Sequence, residues 1–142
     1  MWPAPRGILA ALWTSSLLFA NQSLATAEAW TLVHEEPNIS YYLERAVSKR
    51  QETHLAYWIL INFRYDPRLD GAQPYKSVRL LRYANCATRH QDNKSILQFH
   101  DTMGQGEPAW VQEFDSAAIR MEPAEVGSLA SKLLEVACSR TR

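Results

Sequence analysis

The run HLAYWILINFR, residues 54–64, restricts the fold more than any other stretch of this chain. Its odd positions, Leu55, Tyr57, Ile59, Ile61 and Phe63, form an unbroken apolar face with a period of two, the signature of a strand. Trp58 and Leu60 place apolar bulk at the centre of the even face as well. A strand apolar on both sides is central in its sheet, or turns its outer face to a partner.

Strand signals surround this run. AWTLV (29–33) and ISYYLE (39–44) flank a polar turn, HEEPN, and are rich in the aromatic and β-branched residues that strands favour. YKSVRLLRYANC (75–86) carries Val78, Leu80, Ala84 and Cys86 on one face, interrupted by Arg82. Its other face carries Tyr75, Ser77, Leu81 and Tyr83, with Arg79. ATRHQDNKSILQFHD predicts a strand, a turn at Asp92-Asn93 and a return through Ile96, Leu97 and Phe99. AWVQEF (109–114) follows as the last strand. YDPRLDGAQP (65–74) is a loop by its Asp-Pro and Asp-Gly dipeptides. Strands joined by short turns imply an antiparallel meander.

The period then changes. From Pro123 onward, Val126, Leu129, Ala130, Leu133, Leu134, Ala137 and Cys138 recur at three- and four-residue spacing, predicting an amphipathic helix that begins at Pro123. The fold class expected is α+β: one antiparallel sheet of about six strands with a C-terminal helix on one face.

The first 27 residues bear on the compartment. Arg6 precedes an apolar run from Gly7 to Ala20, and Ala25-Thr26-Ala27 supplies the small residues that signal peptidase accepts. The expectation is a signal peptide, residues 1–27, cleaved after Ala27, and one domain, residues 28–142. The apolar run is shorter than the roughly 20 residues of a membrane span, and no later stretch reaches that length. No transmembrane segment is expected in the mature chain. No cysteine lies at the cleavage region, so the usual lipoprotein anchor is not expected. The expected location is the periplasm or the exterior. The mature chain carries 14 Lys and Arg against 15 Asp and Glu, without a basic block, which argues against a nucleic-acid partner.

In an exported chain, two cysteines most often pair. Cys86 lies on the strand face expected beneath the helix, and Cys138 lies in the helix's final turn. Two free thiols or a metal site are the alternatives. His34, His54, His90 and His100 match no compact ligand spacing, and Asp66 with Asp70-Gly71 lacks the carboxylates of a calcium loop. Neither a metal nor another cofactor is expected. No nucleophile elbow, zinc-protease motif or phosphate loop occurs, so the reading is non-enzymatic. The aromatic residues, with Arg64, Arg68, Arg79 and Arg82, suggest a Tyr/Trp/Arg-rich contact surface. The candidate binding loop is RYDPRLDGAQPY, with Arg64, Tyr65, Arg68 and Tyr75.

Taken in order, Trp30, Tyr41-Tyr42, YWILINF, YKS, RYANC, MGQGE and the terminal LLEVAC resemble the bacterial surface-adhesin protein E family. The resemblance implies a six-stranded antiparallel sheet with its C-terminal helix tethered to the concave face by a Cys86–Cys138 disulfide. It implies a Gram-negative source, adhesion to host or envelope proteins, and the option of homodimerisation through the sheet at Trp58 and Leu60. AAIRMEP lacks the tryptophan that the family pattern places shortly before that proline. The rival functions are a small periplasmic enzyme and an envelope assembly or stress factor.

Overall fold

The computed structural model describes residues 29–49, 54–64, 75–115 and 122–140. The expected signal peptide and most of the 65–74 loop, including Tyr65 and Arg68, lie outside them. Eight strands form one antiparallel sheet: β1 (Trp30–Glu36), β2 (Ile39–Glu44), β3 (Ser48–Lys49), β4 (His54–Phe63), β5 (Ser77–Asn85), β6 (His90–Phe99), β7 (Trp110–Glu113) and β8 (Glu122–Pro123). The six longer strands lie in the order β1-β2-β4-β5-β6-β7, a meander in which only the two-residue β3 and β8 stand off the path. Helix α1 (Leu129–Ser139) closes the fold.

Register separates the two faces, because residues paired directly across an antiparallel ladder point the same way. Leu43, Ile59, Leu80 and Ile96 make one row across β2, β4, β5 and β6. This face meets the helix. Leu133, Leu134 and Ala137 pack with Leu43, Leu55, Tyr57, Ile59 and Ala84 in a single buried cluster. Full burial of each large apolar side chain there stabilises the fold by about 1.5–3 kcal/mol. The odd-numbered face of HLAYWILINF therefore carries the core, and β4 is central.

The Cys86–Cys138 disulfide joins the end of β5 to the last turn of α1, with the Cα atoms 5.8 Å apart. Two polar contacts complete the seating of the helix. Arg89 Nη2 donates to Ser131 Oγ at 2.6 Å, and the Arg140 guanidinium donates to the Glu44 carbonyl. The contacts lie near opposite ends of α1, so the helix crosses the sheet rather than running along one strand.

Two sequence expectations are corrected. The helix begins at Leu129, six residues after Pro123. Ser128 is the N-cap, its Oγ accepting from Ser131 N–H at 3.1 Å, and Gly127 takes the positive φ of 81° that precedes it. Pro123 instead lies in β8, opposite His90. Serine competes for the helix start because its side chain satisfies an amide that would otherwise be orphaned, whereas Pro123 only tolerates that position. The turn expected at Asp92-Asn93 is also displaced: β6 runs through both residues, and the reversal lies at 86–89. There Asn85 Oδ1 accepts from the N–H groups of Ala87 and Thr88, and Arg89 adopts a left-handed φ of 59°. Asp92-Asn93 is accommodated by a register shift between Leu81 and Arg82. A third difference is smaller: β1 continues through HEE, past a bulge between Leu32 and His34.

Candidate contact surface

Among the described residues, the face of the sheet opposite the helix is covered by regular structure only at a single 3-10 turn, Thr102–Gly104. The central row of that face is Leu32, Tyr42, Leu60, Arg79, Leu97 and Val111, one residue from each of the six long strands. The row is buried in the middle and open at both ends: Leu60 is 0% exposed, whereas Leu32 and Val111 are each 49% exposed.

Arg79 explains how the middle is closed. Its guanidinium carbon lies 5.5 Å from the ring centroid of Trp30 and 5.2 Å from that of Phe99, within cation–π range of both. Nε is buried and makes no hydrogen bond. Burial pushes the Arg79 pKa down from its ordinary value, and the neighbouring Glu44 carboxylate opposes that shift. Burial likewise pushes Glu44 up, with Arg79 opposing.

The chain after β6 folds over the same region. Met103 N–H donates to Asn62 Oδ1 at 2.7 Å, and Gly104 N–H donates to Ser77 Oγ at 2.8 Å. Ser77 Oγ in turn donates to the Asp101 carbonyl at 2.5 Å. Gly104 has a φ of 64°, and a Cβ there would stand 2.3 Å from Arg79 Nε. Only glycine meets both demands.

The residues singled out from sequence do not converge on one site. Trp58 and Leu60 share this face, but Leu60 is wholly covered within the chain and Trp58 is half-buried. Any contact by a second molecule at that point therefore falls to Trp58. Arg79 and Arg82 point to opposite faces, since register pairs Arg79 with Leu60 and Arg82 with Tyr57. Arg64 is exposed beyond the end of β4 and is ion-paired with Glu35. Tyr75 is half-buried and meets the Phe63 ring edge-on, centroids 5.8 Å apart. Arg64 and Tyr75 thus lie just after β4 and just before β5, at the end of β5 opposite to Cys86 and the disulfide.

Sequence reasoning placed β7 as the last strand, within AWVQEF (109–114), but did not single out its residues as a contact edge. All four of its residues are exposed; Trp110 is 45% exposed, on the face opposite Val111. Its inner edge pairs with β6, and no described strand pairs with its outer edge. The other edge, β1, is guarded by its bulge and by the His34-Glu35-Glu36 run, devices that discourage strand addition. β7 has neither bulge, proline nor lysine. Its place as the last strand of a meander was the signal available in the sequence.

Among the described residues, no three of His, Cys, Asp and Glu gather where they could hold a metal ion.

The surface-adhesin protein E family profile matches residues 30–139, nearly every described residue. The chain belongs to the surface-adhesin protein E family. Among solved structures, it is similar to the crystal structure of protein E from non-typeable Haemophilus influenzae. That likeness has a TM-score of 0.53 at 12% identity and covers 92% of this chain and 83% of the other. At such identity it is a likeness of fold. A sequence comparison with curated proteins found no match. No helix among the described residues is long and apolar enough to cross a membrane.

Proposed function

We propose that this protein E family member is exported and acts as a non-enzymatic, adhesin-like domain that binds other proteins at the bacterial envelope. The observation that carries the reading is the family match over residues 30–139, because it takes in the sheet, the helix and both cysteines. Two features support it. The leader-like residues 1–27 predict cleavage after Ala27, leaving a domain of residues 28–142. The helix-free face ends in exposed Leu32 and Val111, with Trp110 on the adjoining edge, residue types suited to protein contact. Protein E of Haemophilus influenzae shares the fold, and the family's description as surface adhesins suggests display outside the cell.

Fractionation of expressing cells, with protease treatment of intact cells and N-terminal sequencing, tests this reading. A mature chain starting at Glu28 that is degraded on intact cells is the expected result. A mature chain released only with the periplasmic contents would keep export and replace surface display with an envelope role. Full-length chain in the cytoplasm would refute the proposal.

A further inference from the structure

The packing of the helix face leaves one charged side chain without an assigned role. Arg82 interrupts the apolar face of β5, paired with Tyr57 on one side and Asn93 on the other. Strand alternation sets it there, and the register shift, which skips Lys94 on β6, brings Asn93 opposite it; such bulges are frequent beside binding sites. Arg82 Nε donates to Asn93 Oδ1 at 3.0 Å, while Nη1 is buried and makes no hydrogen bond. Among the described residues, no carboxylate is ion-paired with it. The buried Nη1 is a donor left unused, which an anionic acceptor beside it would satisfy.

Arg82 borders an open cleft of about 340 Å³ between β6, β8 and the first turn of α1, within the size range of small-molecule sites. Gln91 and Asn93 share its floor. Their carbonyl oxygens accept from the Tyr57 hydroxyl, at 2.7 Å, and from Arg82 Nε, which leaves their amide N–H groups as the donors they can offer. Glu122 and Glu125, both exposed, line the opposite wall. Asp92 also borders the cleft, with one carboxylate oxygen accepting from the Asn93 backbone N–H. Arg82 and the two side-chain amides thus make one side of the cleft cationic and donor-rich, with Asp92 at its border, and the other side is anionic. A simple anion is repelled by the second wall and a simple cation by the first.

We propose that this cleft binds a small zwitterion, an amino acid or dipeptide, with its carboxylate over Arg82, Gln91 and Asn93 and its ammonium toward Glu122 and Glu125. The inference stands apart from the adhesin reading, because the cleft lies on the helix side and the proposed protein contacts lie on the other face.

Titration of the ¹⁵N-labelled protein with the dipeptide Ala-Ala, its N-acetyl derivative and its C-terminal amide tests it. Ala-Ala is expected to give saturable shifts at Gln91, Asn93 and Ser128, with both blocked compounds weaker by about tenfold or more. The exposed double variant Glu122→Gln, Glu125→Gln is expected to bind Ala-Ala and its N-acetyl derivative alike. Arg82→Gln is expected to lose the shifts; where that variant unfolds, the rim variant still decides. No saturable shift, shifts placed elsewhere, or equal affinity of the unaltered protein for all three compounds would overturn the proposal.

Discussion

Single residues on the helix-free face carry more than their sequence context suggests. Arg79 reads as a polar interruption of a strand, yet it bridges Trp30 on β1 and Phe99 on β6 across the sheet. Gly104 is its lid, and Gly104→Ala should destabilise the fold by about 1–3 kcal/mol, from left-handed backbone strain and the clash with Arg79 together. Urea unfolding measures this; a change within error would show that the turn yields freely. Glu44 gives a pH prediction. Its folded-state pKa is raised by burial, more than Arg79 lowers it, so the native state favours the protonated form. Its contribution to stability is therefore fully present below the ordinary carboxylate range and is lost as pH rises through the raised value. Glu44→Gln should gain stability relative to the unaltered protein between acidic and neutral pH, seen as converging or crossing urea midpoints. A constant difference across that range would contradict the assignment.

At the scale of elements, α1 is the part most dependent on a covalent tie. It has 11 residues, a length marginal for an isolated helix, so its stability comes from packing and from its ends. The disulfide spans 52 residues of sequence separation, and closing such a loop stabilises by about 4 kcal/mol in the chain-entropy model. Cys138→Ser should therefore lower stability by an amount of that order. It should also raise hydrogen exchange across residues 129–139 before the β4–β5 ladder is affected. Uniform loss of protection would indicate that sheet and helix unfold only together. The helix pattern was legible because its apolar stripe repeats over several turns. Its start was not, because Pro123 satisfies a local rule while Ser128 satisfies both a local rule and the geometry of β8 beside β6. The displaced turn in β6 has the same origin: Asp92-Asn93 is turn-like in isolation, but Asn85 captures two amides closer to Cys86 and fixes the reversal there.

For the whole molecule, a meander leaves two edges, and they differ. β1 is bulged and charged, while β7 presents Trp110 and Val111 with an outer edge that no described strand covers. Val111→Lys should leave the unfolding midpoint within about 0.5 kcal/mol of the unaltered protein, since surface positions rarely matter more. It should also weaken capture of any partner protein that binds the helix-free face, as read by surface plasmon resonance. A large loss of stability instead would make Val111 a packing residue. Of the candidate contact surface, the aromatic richness and the apolar even face of β4 could be read in advance, but which of those side chains reach the outside could not. Leu60 is hidden and Val111 is not, because exposure depends on strand order and on where Arg79 folds its guanidinium.

The sequence alone determined the periodicities: alternating strands, one amphipathic helix, and two cysteines placed where helix and sheet could be joined. Those follow from local sterics and from the need of each apolar stripe to find cover, which operate over a few residues at a time. Tertiary structure decided what depends on register. It brought Arg79 between Trp30 and Phe99, gave Ser128 rather than Pro123 the start of α1, and left β7 open while guarding β1. Register fixes which distant residues share a face, and a one-residue shift on β6 was enough to bring Asn93 opposite Arg82 at the wall of a cleft.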